Sequence, residues 1–105
     1  HEGQTLHALA LATGLLRVLQ EALTNAARHG HAREIGVRLE VGPERLQMTV
    51  HDDGCGFDPD SAPRGVGLTS MAERVDYLGG QLEVRSAPGE GTSVQVVVPI
   101  NPSTS

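Results

Sequence analysis

Apolar residues recur along this chain with two different spacings. From position 15 to position 29 they return every three or four residues, which is the spacing of a helix with one broad buried face. This face consists of Leu15, Leu16, Val18, Leu19, Ala22, Leu23, Ala26 and Ala27. Gly30 follows where a C-terminal helix cap is expected. A second set has the same spacing and predicts another helix, ended by Gly79-Gly80. That set is Leu68, Met71, Val75 and Leu78.

Four other segments alternate apolar and polar residues, as strands with one buried face do. The first two, at 35–41 and 46–50, flank Gly42-Pro43-Glu44 and predict a hairpin. The others, around Leu82 and at 94–98, are separated by a turn at 87–91. The order is therefore helix, two strands, helix, two strands. It predicts an α/β (α+β) two-layer sandwich, with a mixed sheet and helices on one face.

The chain has 105 residues, enough for one domain, which we expect to span 15–100. Residues 1–14 are read as a linker or the end of an upstream helix, because Gly14 interrupts the apolar pattern. Residues 101–105 are expected to be a disordered tail. No apolar run approaches the roughly 20 residues of a membrane span, and no signal peptide is evident. Cys55 is the single cysteine, which fits a reducing cytosol. Together these features lead us to expect a cytoplasmic domain without membrane contact.

The basic residues narrow the possible chemistry, because all eight are arginine and lysine is absent. A P-loop, a protein-kinase fold and a Schiff-base enzyme each need a lysine. The net charge of −5 also argues against non-specific nucleic-acid binding. If the chain handles ATP, it must do so through Mg²⁺, backbone amides and a helix N-terminus.

The first predicted helix carries a polar stripe beside its buried face. Glu21, Asn25 and His29 are four residues apart and line up on one side, with Arg28 next to His29. An asparagine oxygen suits Mg²⁺, and Glu21 could polarise a water or accept a proton. Taken alone, the stripe would be read as a solvated helix edge.

Three glycine-rich clusters follow that helix. In the first, Asp52 ends a strand and precedes Gly54 and Gly56, so that its carboxylate could accept a hydrogen bond from the amine of adenine, where guanine would present a carbonyl. Asp53-Gly54 alone would be an ordinary turn.

The second cluster, at 65–68, leads directly into the second helix. Gly65, Gly67 and Leu68 would offer backbone N–H groups and the helix dipole to phosphates. Arg64 could add a phosphate contact, although surface arginines are usually just solvated. The third, Gly89-Glu90-Gly91-Thr92, is a turn from which Thr92 could place a hydroxyl near the adenine. Each cluster is weak alone, but the helix stripe and the three clusters in this order predict an ATP pocket.

These residues resemble the GHKL superfamily, which has the Bergerat ATP-binding fold and includes gyrase, the ninety-kilodalton heat-shock chaperones, MutL and histidine kinases. The resemblance covers roughly residues 15–100. It implies ATP and Mg²⁺ as cofactors, Glu21 as the catalytic residue and Asn25 as the Mg²⁺ ligand. The ATP-binding residues that it implies are Asn25, Arg28, His29, Asp52, Gly54, Gly56, Gly65, Gly67, Leu68 and Thr92.

Residues 67–75, Gly-Leu-Thr-Ser-Met-Ala-Glu-Arg-Val, are similar to the signature of NarL-type sensor histidine kinases, as is a brief ATP lid at 58–64. This implies the catalytic domain of a histidine protein kinase. Such a domain passes the γ-phosphoryl group to a histidine on a separate helical domain, from which a response regulator takes it. No His-Asp pair in a long upstream helix matches that acceptor. We therefore expect a monomer that binds Mg-ATP and does not autophosphorylate alone.

Two alternatives share this fold. One is a serine kinase of the anti-sigma-factor type, which has the same Glu-x-x-x-Asn box, although the Met-x-Glu-Arg run favours the histidine kinase. The other is a module that senses ATP without catalysis, which the presence of both Glu21 and Asn25 makes less attractive.

Overall fold

The computed structural model describes residues 2–58, 60 and 67–100. The predictions for Arg64, Gly65, most of the 58–64 lid and the tail at 101–105 lie outside these residues. The described elements follow the predicted order. They are α1 (Glu2–Thr24), a π-helical turn (Asn25–His29), β1 (Ile35–Val41), β2 (Arg45–Asp52), α2 (Leu68–Tyr77), β3 (Gln81–Ser86) and β4 (Thr92–Pro99).

The four strands form one sheet in the order β1-β2-β4-β3. Every neighbouring pair is antiparallel, so the expectation of a mixed sheet was wrong for these strands. The connection through α2 does leave β2 and β3 running in the same direction. They are not neighbours, however, because β4 lies between them and pairs antiparallel with both.

The core lies between one face of the sheet and the two helices, as predicted. Val18 of α1, Met71 and Val75 of α2, and Val96 and Val98 of β4 are its most completely buried side chains. Across the sheet, Val50 stands opposite Val37 on one side and Val94 on the other. The confirmed features are thus the α/β class and the layer of helices on a single face.

Helix α1 begins earlier than the sequence suggested. Residues from Glu2 onward belong to the same helix as residues 15–24, so they are not a linker, and Leu11 is buried in the core. Gly14 lies where α1 meets the end of α2, and a Cβ there would stand 2.6 Å from Leu78 Cδ1. Gly14 therefore lets the helices approach instead of interrupting α1.

By length and composition, the helical stretch Thr5–His29 could cross a membrane, with a mean hydropathy of 1.2. The expectation that no apolar run approaches that length was therefore too strict. The same composition is typical of a helix that packs one face onto a sheet. Leu15, Val18 and Ala22 are buried there.

Strand β1 departs from the prediction of a buried face. Its apolar residues are all exposed, from 37% at Ile35 to 68% at Val41. They point to the same side of the sheet as Met48 and Val50, which are buried. The difference arises from helix coverage, because α2 packs against β3 and α1 against β2, while β1 lies at the other edge of the sheet.

The second helix ends as its glycines predicted. Gly79 has a left-handed φ of 74°, its N–H bonds to Asp76 O, and the N–H of Gly80 bonds to Val75 O. This is the Schellman arrangement, which satisfies the last carbonyls of a helix. It directs the chain from α2 into β3.

Candidate nucleotide-binding site

A cavity of about 40 Å³ lies where the π turn, the end of β2 and the start of β4 meet. Its lining combines five residues predicted from three separate sequence clusters with two that were not predicted. The five are Asn25, His29, Asp52, Gly56 and Thr92, and the other two are Gly30 and Phe57. Whole pockets for drug-sized ligands hold about 300–1,000 Å³. This cavity is therefore much smaller than a whole ligand pocket.

The helical turn that carries Asn25 and His29 is π-helical, which the sequence did not predict. The N–H of Gly30 bonds to Asn25 O at 2.9 Å, an i→i+5 hydrogen bond. Single π turns within helices occur frequently at functional sites. Asn25 and His29 both line the cavity, whereas Glu21, one turn earlier, does not.

Gly30 caps this turn, as predicted, but with φ −94° it is not left-handed. The left-handed residue is His31, with φ 51°. The carbonyl of Gly30 accepts a hydrogen bond from the N–H of Cys55 at 2.8 Å, and Cys55 Sγ donates to His29 O at 3.2 Å. The end of the π turn is thus tied to the Asp52–Gly56 loop.

Asp52 ends β2 with its side chain inside the protein, only 6% exposed. Its Oδ1 accepts a hydrogen bond from the N–H of Gly54 at 2.8 Å, which orients the carboxylate. A Cβ at Gly54 would stand 2.7 Å from Gly30 O and 2.9 Å from Asp52 Oδ1. Glycine is needed here for the close approach of the loop to the π turn, and Gly54 itself does not line the cavity.

The neighbouring aspartate has a different role. Asp53 is exposed, and its Oδ1 accepts the N–H groups of Arg33 at 2.8 Å and Glu34 at 3.0 Å. These hydrogen bonds, that of Glu34 first and then that of Arg33, hold the pKa of Asp53 below its usual value. Asp53 therefore fastens the start of β1 to the loop, while Asp52 faces the cavity.

The loop at 54–57 also interlocks with the turn between β3 and β4. Gly56 is left-handed, with φ 66°, and a Cβ there would overlap the carbonyl of Ala87. A Cβ at Gly91, φ 74°, would overlap the carbonyl of Asp52. Only glycine fits at these two contacts, so the loop after β2 and the turn between β3 and β4 each need their glycine for the other to pack against it.

Ser86 was not predicted from the sequence. Its hydroxyl links the loop at 54–57 to the turn between β3 and β4. The N–H of Phe57 donates to Ser86 Oγ at 2.8 Å, and Ser86 Oγ donates to Gly91 O at 3.0 Å. Ser86 Oγ also lies 2.8 Å from Thr92 Oγ1. The strand register is what identifies Ser86 as a neighbour of the site, since Ser86 pairs with Thr92 and Thr92 pairs with Asp52.

The phosphate-side cluster is described only in part. Gly67 is left-handed, φ 73°, immediately before α2, and a Cβ there would overlap the carboxylate of Glu21. Leu68 joins Asn25 and Asp52 around a void of about 10 Å³. Arg28 is exposed and does not line the cavity.

A larger groove, of about 560 Å³, runs between α1 and α2. None of the predicted site residues lines it, and its walls include Leu9, Tyr77 and the Glu73-Arg74 pair. Size alone would favour this groove. The chemistry favours the smaller cavity, where a buried carboxylate, an amide and a hydroxyl converge.

Comparison with known proteins identifies the family of the chain. Residues 10–102 match the family model described as "Histidine kinase-, DNA gyrase B-, and HSP90-like ATPase". The sensor histidine kinase LiaS of Bacillus subtilis is 43% identical over 89 residues, which are 84% of this chain and 25% of LiaS. The histidine-protein kinase/phosphatase DegS of Brevibacillus brevis is 38% identical over 87 residues, 82% of this chain and 22% of DegS.

Solved structures show the same likeness. The histidine kinase domain of the blue-light activated kinase EL346 from Erythrobacter litoralis superposes with a TM-score of 0.71 at 29% identity, over 87% of this chain and 45% of that one. The mycobacterial sensor histidine kinase MprB gives a TM-score of 0.64 at 28% identity, over 83% of this chain and 70% of that one. The chain spans about a quarter of the length of the curated relatives it matches.

Proposed function

The chain belongs to the family of histidine kinase-, DNA gyrase B- and HSP90-like ATPases, and from this premise we propose that its small cavity holds the adenine end of Mg-ATP for phosphoryl transfer to a histidine. The family match, together with the similarity to sensor histidine kinases, makes the chain an ATP-binding domain of the histidine kinase type. The observation that carries the proposal is the convergence of Asn25, Asp52 and Thr92, one from each of three sequence clusters, on one cavity.

Base recognition is assigned to Asp52. Its Oδ1 is engaged by the N–H of Gly54, so Oδ2 is the oxygen left to meet a ligand donor. A buried carboxylate accepts hydrogen bonds strongly and is costly to leave facing a carbonyl. The exocyclic amine of adenine satisfies it, whereas the carbonyl of guanine does not. The cavity should therefore select ATP over GTP.

The donor set at Asn25 fits Mg²⁺. An amide oxygen is a hard, neutral ligand, and Mg²⁺ binds few protein oxygens together with phosphates and water. Asn25 lines both the cavity and the smaller void beside Leu68, so its side chain stands between the base end and the start of α2. The ion would supply charge neutralisation of the phosphates when bound.

Glu21 is proposed to serve the transfer step. It lies one turn before Asn25 and against Gly67, so it faces the N-terminus of α2 and not the base end of the cavity. A carboxylate there can polarise a water or accept the proton released by an attacking group. Gly67 and Leu68, with Gly65, are proposed to contribute backbone N–H groups to the phosphates.

The whole kinase reaction needs parts beyond this chain. We propose that the acceptor is a histidine on a separate helical domain and that a response regulator is the next recipient. The isolated domain is expected to be a cytoplasmic monomer without autokinase activity, of the NarL-type subgroup. The serine-kinase and ATP-sensing alternatives have no observation among the described residues that favours them.

The proposal is tested first by thermal melting with Mg-ATP, Mg-GTP, and ATP with EDTA. Ligand at about 100 times Kd adds roughly 2.7 kcal/mol of stability. We expect a shift with Mg-ATP, a smaller shift with EDTA and none with GTP. If no nucleotide shifts the melting temperature, the proposal fails. Labelled phosphate on the acceptor domain should then be lost in acid, because phosphohistidine is acid-labile and phosphoserine is not.

A further inference from the structure

The hydroxyl of Ser86 is within hydrogen-bond distance of three polar groups at a junction beside the cavity. It meets the N–H of Phe57, the carbonyl of Gly91 and the hydroxyl of Thr92, at 2.8, 3.0 and 2.8 Å. Phe57 and Thr92 both line the cavity, while Ser86 does not. Ser86 is therefore placed to act on a ligand only through its neighbours.

The donor and acceptor capacities at this junction fix the direction of each hydrogen bond. A serine hydroxyl has one proton to donate and two lone pairs to accept with. The Gly91 carbonyl can only accept, so the Ser86 proton goes to it, and the Phe57 N–H can only donate. The second lone pair of Ser86 Oγ then accepts from Thr92. The proton of Thr92 consequently points at Ser86 and away from the cavity.

We propose that Ser86 is a positioning residue for base selectivity, because it holds the Thr92 hydroxyl with its lone pairs toward the ligand. Thr92 then presents an acceptor beside Asp52, its partner in the strand register. Two neighbouring acceptors favour a purine with an exocyclic amine and disfavour one with a carbonyl at the same place. This inference rests on the proposed function, since it concerns how the same cavity reads its base.

The test measures the dissociation constant of inosine triphosphate, in which a carbonyl replaces the 6-amino group, and divides it by the dissociation constant of ATP. In Ser86→Ala the Thr92 proton is released and can turn into the cavity as a donor. The ratio of the two constants should therefore fall about tenfold, the worth of one hydrogen bond. Thr92→Val should also lower the ratio, and adding Ser86→Ala to it should lower it no further, since the serine acts through the threonine.

Two further variants separate selectivity from folding. Ser86→Thr keeps the hydroxyl and should keep the wild-type ratio. Ser93→Ala, on the opposite face of β4, should also leave the ratio unchanged. The inference is overturned if Ser86→Ala weakens both nucleotides equally, because the serine would then only hold the loop to the turn. If the wild-type protein binds neither nucleotide, it is the proposed function that fails.

Discussion

Gly67, the residue before α2, lies so close to Glu21 of α1 that a Cβ at position 67 would overlap the Glu21 carboxylate. The two residues come from clusters 46 positions apart in sequence, one proposed to handle the proton and the other the phosphates. Their contact makes the start of α2 dependent on the side chain of α1. It also means that the glycine serves two needs at once, a left-handed φ of 73° and space for the carboxylate.

Gly67→Ala should therefore destabilise the domain by more than backbone strain alone. A non-glycine residue in left-handed conformation costs about 1–2 kcal/mol. The matched control is Gly89→Ala, because Gly89 has a similar φ of 82° and nothing within 4 Å of its added Cβ. Urea denaturation should show a larger loss for Gly67→Ala than for Gly89→Ala.

The excess should disappear in a Glu21→Ala background, where the overlapping carboxylate is gone. Equal losses for the two alanine variants in the wild-type background would show that Glu21 does not pack against Gly67 in solution. If Gly67→Ala still loses more stability than Gly89→Ala in the Glu21→Ala background, the added Cβ overlaps a group other than the Glu21 carboxylate.

Asp52→Ala should weaken ATP and ADP alike, since both carry the same base. A hydrogen bond to a charged group contributes about 1.5–3 kcal/mol, so the dissociation constants should rise roughly tenfold or more. The control is Asp53→Ala, whose carboxylate bonds the start of β1 and does not line the cavity. Isothermal titration with both nucleotides measures the effect, and normal binding by Asp52→Ala would exclude its role in base recognition.

The sequence predicted most of the residues that line the cavity, but it did not predict how they are arranged. Asp52, Gly56 and Thr92 carried the signal because their chemistry and glycine spacing are local properties. Whether a glycine faces the ligand or another backbone segment depends on packing, and Gly54 is an example of the second case. Ser86 was missed because its role depends on hydrogen bonds made across a hairpin and to a loop 29 residues away.

The sequence likewise located the elements of the fold but not how they pack. Alternation located all four strands, but alternation does not say which strand lies at an edge, so the exposure of β1 was not foreseen. Gly14 was misread because a helix tolerates glycine where a second helix packs closely, and no local pattern reveals that contact. The π turn was also missed, since its hydrogen bonds differ from those of an α-helix by one residue only.

Asn25→Ala should weaken binding of Mg-ATP while leaving binding of metal-free ATP little changed. The amide oxygen is proposed to bind the ion, so the loss should appear only when Mg²⁺ is present. Gln20→Ala removes an amide from an exposed position of the same helix and should have no effect. Titrating each variant with ATP, once in Mg²⁺ and once in EDTA, measures the two affinities separately. An equal loss in both would mean that Asn25 contacts the nucleotide or shapes the cavity instead.

Asp53 should make the stability of the domain depend on pH in acid. Hydrogen bonds from the N–H groups of Glu34 and Arg33 lower its folded pKa below the ordinary 3.8, so folding favours the charged form. The resulting stabilisation is present above the unfolded pKa and is lost as pH falls through the folded pKa. Asp53→Asn should therefore be less stable than wild type between pH 7 and pH 5, where both the folded and the unfolded carboxyl are charged. The difference in urea midpoint should shrink below the ordinary pKa. A difference that persists unchanged in acid would mean that the substituted amide disturbs packing, and that the charge of Asp53 contributes nothing.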